Sequence, residues 1–234
     1  MSLLSTIQYG PKESNHVVVM LSGFPDDETS GWGDFLVRIT SVFTNYRFLC
    51  MCLPDYEDNA VPKTWGYSFD EILVMLEATI NFHIASTTAK FILCIHDWGS
   101  FVGMKFENIF PNRVSKIISF DIGIGMDISA GSTAAILCYQ WWFATSYVIS
   151  QIISESLGEF IFKLYFNFIP KFILPTPNDT LKRPIDRVRV HMAYPYYYFW
   201  KYLLLGNKIL PNYPRCPILF FVSFLAAFCA ISLD

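Results

Sequence analysis

The first half of the chain alternates short apolar runs with stretches whose apolar residues recur at helical spacing. His16-Val17-Val18-Val19-Met20-Leu21 is a β-branched run that stops at Ser22-Gly23-Phe24-Pro25, which predicts a buried strand feeding a glycine turn and a fixed proline. A helix is expected around Trp32 to Phe43, and Tyr46 to Leu53 is a second buried strand closed by Pro54-Asp55. Ser68 and Glu71 stand at capping-box spacing before Ile72, Leu73, Leu76 and Ile80, which share one helical face. Lys90 to Ile95 is a third strand, running into His96-Asp97-Trp98-Gly99-Ser100 and a helix expected over Phe101 to Phe110. Val114 to Phe120 is a fourth, ending at Asp121. Strands alternating with helices at this spacing predict an α/β protein, a mostly parallel sheet covered on both faces.

Beyond Asp121 the texture changes. Ile128 to Ser154 carries no charge, Phe160 to Phe172 is rich in aromatics, and Pro175 to Asp179 reads as a loop. Tyr194, Tyr196, Tyr197, Tyr198, Phe199 and Trp200 form an aromatic patch, and Cys216 to Val222 returns to strand character. The expected division is a core over 1–125, an inserted helical cap over 126–212, and a return to a core strand with an apolar tail over 213–234.

Composition narrows the function classes. With 234 residues, 53% hydrophobic and 16% charged, the chain is neither disordered nor a disulfide miniprotein. Its 17 Lys and Arg against 20 Asp and Glu leave a net charge of −3, without the basic surplus that nucleic acid rewards, so no nucleic-acid partner is expected. The six cysteines form no paired Cys-x-x-Cys set, so they read as buried reduced thiols, and neither a metal nor a cofactor is expected. The start of the chain has no signal-peptide pattern, which suits a cytoplasmic protein. Cys216 to Leu233 is uncharged and just short of the ~20 apolar residues of a membrane span, so a C-terminal membrane attachment through 216–233 is the alternative location.

The chemistry centres on His96-Asp97-Trp98-Gly99. An acidic residue at a strand-to-helix junction with glycine two positions on has the layout of a nucleophile elbow, in which a sharp turn lifts one side chain above the sheet and the next N–H groups meet at the helix start. Asp97 is then a carboxylate nucleophile, suited to displacement at saturated carbon, as in opening an epoxide or expelling a halide. The Phe24 N–H, after the first strong strand, joins the Trp98 N–H as an oxyanion donor. An Asp at a strand end is also a helix cap. The complete elbow together with the Gly-Phe-Pro loop favours the nucleophile.

On Gly23-Phe24-Pro25, Pro54-Asp55, Tyr67-Ser68-Phe69-Asp70 and His96-Asp97-Trp98-Gly99, the sequence resembles the α/β-hydrolase superfamily, in its branch of epoxide hydrolases, haloalkane dehalogenases and related Asp-nucleophile proteins. The resemblance implies an α/β-hydrolase fold with an inserted helical cap, Asp97 as nucleophile, Phe24 and Trp98 at the oxyanion hole, and a small apolar substrate. Cap tyrosines protonate the epoxide oxygen in that family, which points to Tyr198 and then Tyr197, with Tyr194 and Trp98 against substrate. Trp98 suits either chemistry, because in dehalogenases the Trp beside the nucleophile helps hold halide. Asp121 matches a position where some members place the acid that orients the catalytic His, although a structural turn is the plainer reading there. Two departures stand out: Ser22 occupies the place of the usual His before Gly-Phe-Pro, and none of the four histidines, His16, His83, His96 and His191, matches the water-activating His. The C-terminal part of the core is expected to be missing, and the alternative function is a non-catalytic member that binds a hydrophobic ligand or partner.

Overall fold

A computed structural model describes residues 2–84, 89–120, 130–168 and 187–221. Six strands form one sheet in the order β1-β3-β2-β4-β5-β6: β1 Thr6–Tyr9, β2 Val17–Leu21, β3 Arg47–Met51, β4 Phe91–His96, β5 Val114–Phe120 and β6 Ile218–Phe221. Every neighbouring pair is parallel except β1 with β3, where Thr6 faces Met51 in an antiparallel edge. All residues of β2 and β3 are buried, which explains their unbroken apolar runs: both faces of a parallel sheet are covered. β1 was not legible as a strand because it is four residues long and only half-covered at the sheet edge.

Helices α1 Gly33–Val42, α2 Phe69–His83 and α3 Trp98–Ile109 connect these strands. The capping box is present: the Ser68 hydroxyl accepts from the Glu71 N–H at 3.3 Å, and the Ser68 N–H donates to Glu71 Oε2 at 2.9 Å. Leu21, Met51, Ile72, Leu76, Leu93 and Val102 belong to the main core on the α2 and α3 side. Trp32, which caps α1, and Leu36 within it close the opposite side over Val18, Met20, Phe48 and Cys94. The helix expected from Phe101 begins three residues earlier, at Trp98, because the elbow turns directly into it.

Between β5 and β6 the described chain is helical: α4 Ala130–Ile152, α5 Glu155–Phe168, a 3₁₀ turn Val190–Ala193 and α6 Tyr194–Leu204. α4 packs on α5, α6 and the turn, and Phe143, Tyr147 and Phe162 are buried in the same core as the sheet residues. Over 133–154 the absence of charge therefore reflects burial among neighbouring helices as well as exposed apolar surface at Trp141 and Trp142. Among the described residues no helix is long and apolar enough to cross a membrane. The expected loop at Pro175 to Asp179, Asp121, and the tail from Val222 on lie outside the described residues.

The thiols are less uniform than expected. Cys50, Cys52 and Cys94 are buried, and burial pushes Cys50 up to about 12, but Cys138 on α4 is exposed and Cys216 is half-buried. No disulfide joins these five.

Candidate active site

Asp97 occupies the sharp turn between β4 and α3 with φ 52° and ψ −130°, a conformation that costs a non-glycine residue roughly 1–3 kcal/mol and persists only where packing imposes it. Two glycines make the turn feasible. A Cβ on Gly99 would lie 2.2 Å from the Leu21 carbonyl oxygen, so only glycine lets the first turn of α3 rest on the end of β2. A Cβ on Gly23 would lie 2.4 Å from the Trp98 nitrogen and 2.6 Å from Asp97 Oδ1, so the Ser22-Gly23-Phe24-Pro25 loop and the elbow are in direct backbone contact.

That contact delivers the donors. The Phe24 N–H donates to Asp97 Oδ1 at 2.7 Å, and the Trp98 N–H also donates to the carboxylate. The Phe24-Pro25 peptide is cis, and the Asp26 N–H closes the turn on the Gly23 carbonyl at 2.8 Å. Ser22, in place of histidine, is buried, and its hydroxyl donates to the Asp27 carbonyl at 2.9 Å while its N–H donates to the Met51 carbonyl at 3.1 Å. The serine thus ties the loop to itself and to β3, and the Phe24 donor keeps its place. Burial holds the Asp97 carboxyl above the ordinary aspartate range. The His96 charge and the Trp98 and Phe24 N–H groups pull it back, and the nearby Asp26 charge pushes it further up.

The roof over the elbow is aromatic. The Phe24 ring packs on Phe143, Phe162 and Tyr196 at centroid distances of 5.4, 6.2 and 5.4 Å, and Tyr196 meets the Trp98 indole edge-on at 5.0 Å. Phe24 is 9% exposed and Tyr196 3%, so these rings form a packed apolar cover beside Asp97, which itself stays half-buried.

Helix α6 spreads its tyrosines over different neighbours. Tyr196 and Phe199, one helical turn apart, face Trp98, whereas Tyr197 packs on Trp65 and Tyr147, and Tyr198 packs on Tyr202 and under the Lys201 ammonium. Tyr194 is buried, with its hydroxyl donating to the Pro54 carbonyl at 3.0 Å and its ring lying where any Cβ on Gly66 would fall, so it clamps α6 to the loop after β3. Sequence reasoning missed Tyr196, Phe143 and Phe162. The signal lay in the one-turn spacing of Tyr196 and Phe199, but nothing local says which face of α6 turns inward.

The histidines are dispersed. His96 precedes Asp97 with its ring 6.3 Å from Trp32, on the α1 side of the sheet. His16 stacks on Tyr46, His83 ends α2, and His191, in the 3₁₀ turn, hydrogen-bonds the Asp55 backbone. Among the described residues no cluster of His, Cys, Asp or Glu could hold a metal ion.

No protein-family model matches the chain, and no curated protein matches it in sequence. Solved structures do resemble it. An epoxide hydrolase of Bacillus megaterium in complex with an inhibitor aligns over 95% of this chain and 82% of its own, at 18% identity and TM-score 0.59. A Vigna radiata epoxide hydrolase mutant aligns over 97% and 80%, at 16% identity and TM-score 0.57. A thermophilic esterase from Thermogutta terrifontis aligns over 94% and 74%, at 15% identity and TM-score 0.54. Sheet order, elbow and helices between β5 and β6 agree with that likeness, and the chain has the α/β-hydrolase fold.

Proposed function

We propose that the chain is a hydrolase-fold protein whose Asp97 attacks the saturated carbon of a small apolar epoxide or halide and forms an alkyl ester. The observation that carries this reading is the Asp97 carboxylate on a strained elbow, held at Oδ1 by the Phe24 N–H. With Oδ1 tied down, Oδ2 is the oxygen that attacks. Its lone pair forms the new C–O bond, while the carbon–oxygen or carbon–halogen bond breaks and its electron pair leaves with oxygen or halide. The aromatic roof of Phe24, Phe143 and Tyr196 presents an apolar face to that carbon. Tyr196, whose ring meets Trp98 edge-on at 5.0 Å, joins Tyr198 and Tyr197 as a hydroxyl that could serve an oxygen leaving group.

Hydrolysis of the ester is the slow half. Water attacks the Asp97 carboxyl carbon, and Oδ1 takes the charge where the Phe24 N–H already points, an arrangement worth about 10²–10³ in rate per donor. A positioned general base contributes typically ~10²–10⁴-fold, and His16, His83 and His191 all lie on other parts of the fold, while His96 turns toward Trp32. The ester is therefore expected to accumulate.

Intact-protein mass spectrometry after incubation with styrene oxide tests the reading. One added substrate mass per chain, absent from Asp97→Asn, supports it. No adduct, or an adduct that survives Asp97→Asn, refutes it and favours a hydrophobic-ligand binder.

A further inference from the structure

An open groove of about 500 Å³ runs between α4 and α6, and small-molecule sites span about 300–1,000 Å³. Its walls include two matching strips, Trp141, Thr145 and Val148 on α4 and Tyr197, Lys201 and Leu204 on α6, each at i, i+4, i+7, so one face of each helix lines it. The lining is apolar almost throughout, yet it is not core: Trp141 is 50% exposed and Leu204 70%. A contiguous apolar surface of this kind on a folded chain marks a binding place.

The polar atoms of the groove say what it takes. The Lys201 ammonium lies over the rings of Tyr197 and Tyr198, 5.6 and 5.5 Å from their centroids, so it stands at the Tyr197 end. Among the described residues no carboxylate pairs with it, and Glu71, whose charge reaches Tyr198, is already paired with Lys63. Trp200, also in the wall, meets Trp141 edge-on at 5.0 Å, and its indole N–H is buried with no acceptor. Two donors are left over at the walls, and the other end, at Leu204 and Leu205, is hydrocarbon.

We propose that this groove binds a free alkyl carboxylate of medium chain length, with its head on Lys201 and its chain along the two helices toward Leu204 and Leu205. The site is separate in its residues from the Asp97 elbow and does not depend on the nucleophile reading. Charge complementarity selects the anionic head, since an uncharged chain leaves the Lys201 ammonium unanswered, and the apolar walls select the alkyl tail. From Tyr197 to Leu204 the α6 strip rises about 10 Å, a length that matches decanoate. A concave groove with one cation takes one chain with one charge, whereas a helix face that lies on a membrane is rich in Lys and Arg.

Isothermal titration calorimetry of the full chain with decanoate and with 1-decanol tests the proposal. One decanoate per chain is expected, with Kd about 10–100 µM, ordinary efficiency for a ligand of about a dozen heavy atoms. Each methylene removed, down to octanoate, should weaken binding about two- to fourfold. Lys201→Met should weaken decanoate about fivefold, the upper end for an exposed ion pair, and leave decanol within about twofold. Thr145→Trp fills the groove from an exposed position and should abolish binding of both. Absence of decanoate binding, binding unchanged by Thr145→Trp, or equal effects of Lys201→Met on acid and alcohol overturn the proposal. Co-sedimentation of the unliganded chain with phosphatidylcholine vesicles, or its self-association, that Thr145→Trp removes would give the groove to a membrane or to a second copy, and also overturns it.

Discussion

Glu107→Ala is expected to destabilise the fold by about 3 kcal/mol, through contacts with the segment before β6. Glu107, fully buried on α3, accepts at Oε1 from the backbone N–H groups of Arg215 at 3.0 Å and Cys216 at 3.2 Å, and at Oε2 from Asn108 Nδ2 at 3.2 Å. Asn108 extends the grip, its Oδ1 accepting from the Asn212 N–H at 2.7 Å. Together they fix the segment that leads from α6 into β6, and β6 must land in parallel register with Ile117 opposite Ile218. Two hydrogen bonds to a charged acceptor are worth about 1.5–3 kcal/mol each. Arg215 is largely exposed, so water recovers part of that loss for its N–H, which brings the sum to roughly 3 kcal/mol. Glu107→Gln keeps an oxygen acceptor in place and is expected to lose about 1 kcal/mol. Urea denaturation reads the difference: with m near 2–3 kcal/mol per molar, the alanine variant should unfold about 1–1.5 M earlier, at unchanged m. A midpoint shift under about 0.3 M, or equal shifts for Ala and Gln, would refute the reasoning.

Two further outcomes follow from the site itself. Burial raises the Asp97 carboxyl in the folded state, so the folded chain binds more protons than the unfolded one between the ordinary and the raised value, and stability falls as pH rises through that window. Asp97→Asn should therefore melt higher than the unmodified protein at pH 7, with the gap closing as pH drops toward the ordinary aspartate range; a variant that melts lower at neutral pH contradicts this. Gly23→Ala places a methyl 2.4 Å from the Trp98 nitrogen and 2.6 Å from Asp97 Oδ1, which pushes the Phe24 N–H off the carboxylate, and loss of one such donor should lengthen the lifetime of the Asp97 ester about 10²–10³-fold. An unchanged ester lifetime in pulse-chase mass spectra would show that the Phe24 N–H does not stabilise the oxyanion.

The epoxide hydrolases and the esterase that resemble this chain share its fold at identities of 15–18%, so architecture alone does not choose the reaction. The side chains that distinguish this site are an aspartate at the elbow and an aromatic roof over it. Phe24 serves both purposes, its N–H on the carboxylate and its ring in the roof.

The sequence by itself determined what depends on neighbours in the chain. Unbroken apolar runs announced β2 and β3 because both faces of a parallel strand are covered, and Ser68 with Glu71 announced the start of α2 because a capping box is a four-residue event. Asp97 and Gly99 announced the elbow because its backbone demands are local. Tertiary structure decided the rest. β1 exists only because Tyr9 and its neighbours find an edge of β3 to pair with. Which of four clustered tyrosines meets Trp98 depends on the rotation of α6 about its axis, and the Tyr194 clamp on Pro54 and Gly66 holds that rotation, with Tyr196 on Trp98 and Tyr198 on Tyr202. Glu107 reads as one more polar residue on a helix until the fold brings the Arg215 and Cys216 N–H groups to its carboxylate. Contacts between residues distant in sequence leave no periodic trace along the chain, which is why the elbow was legible and its roof was not.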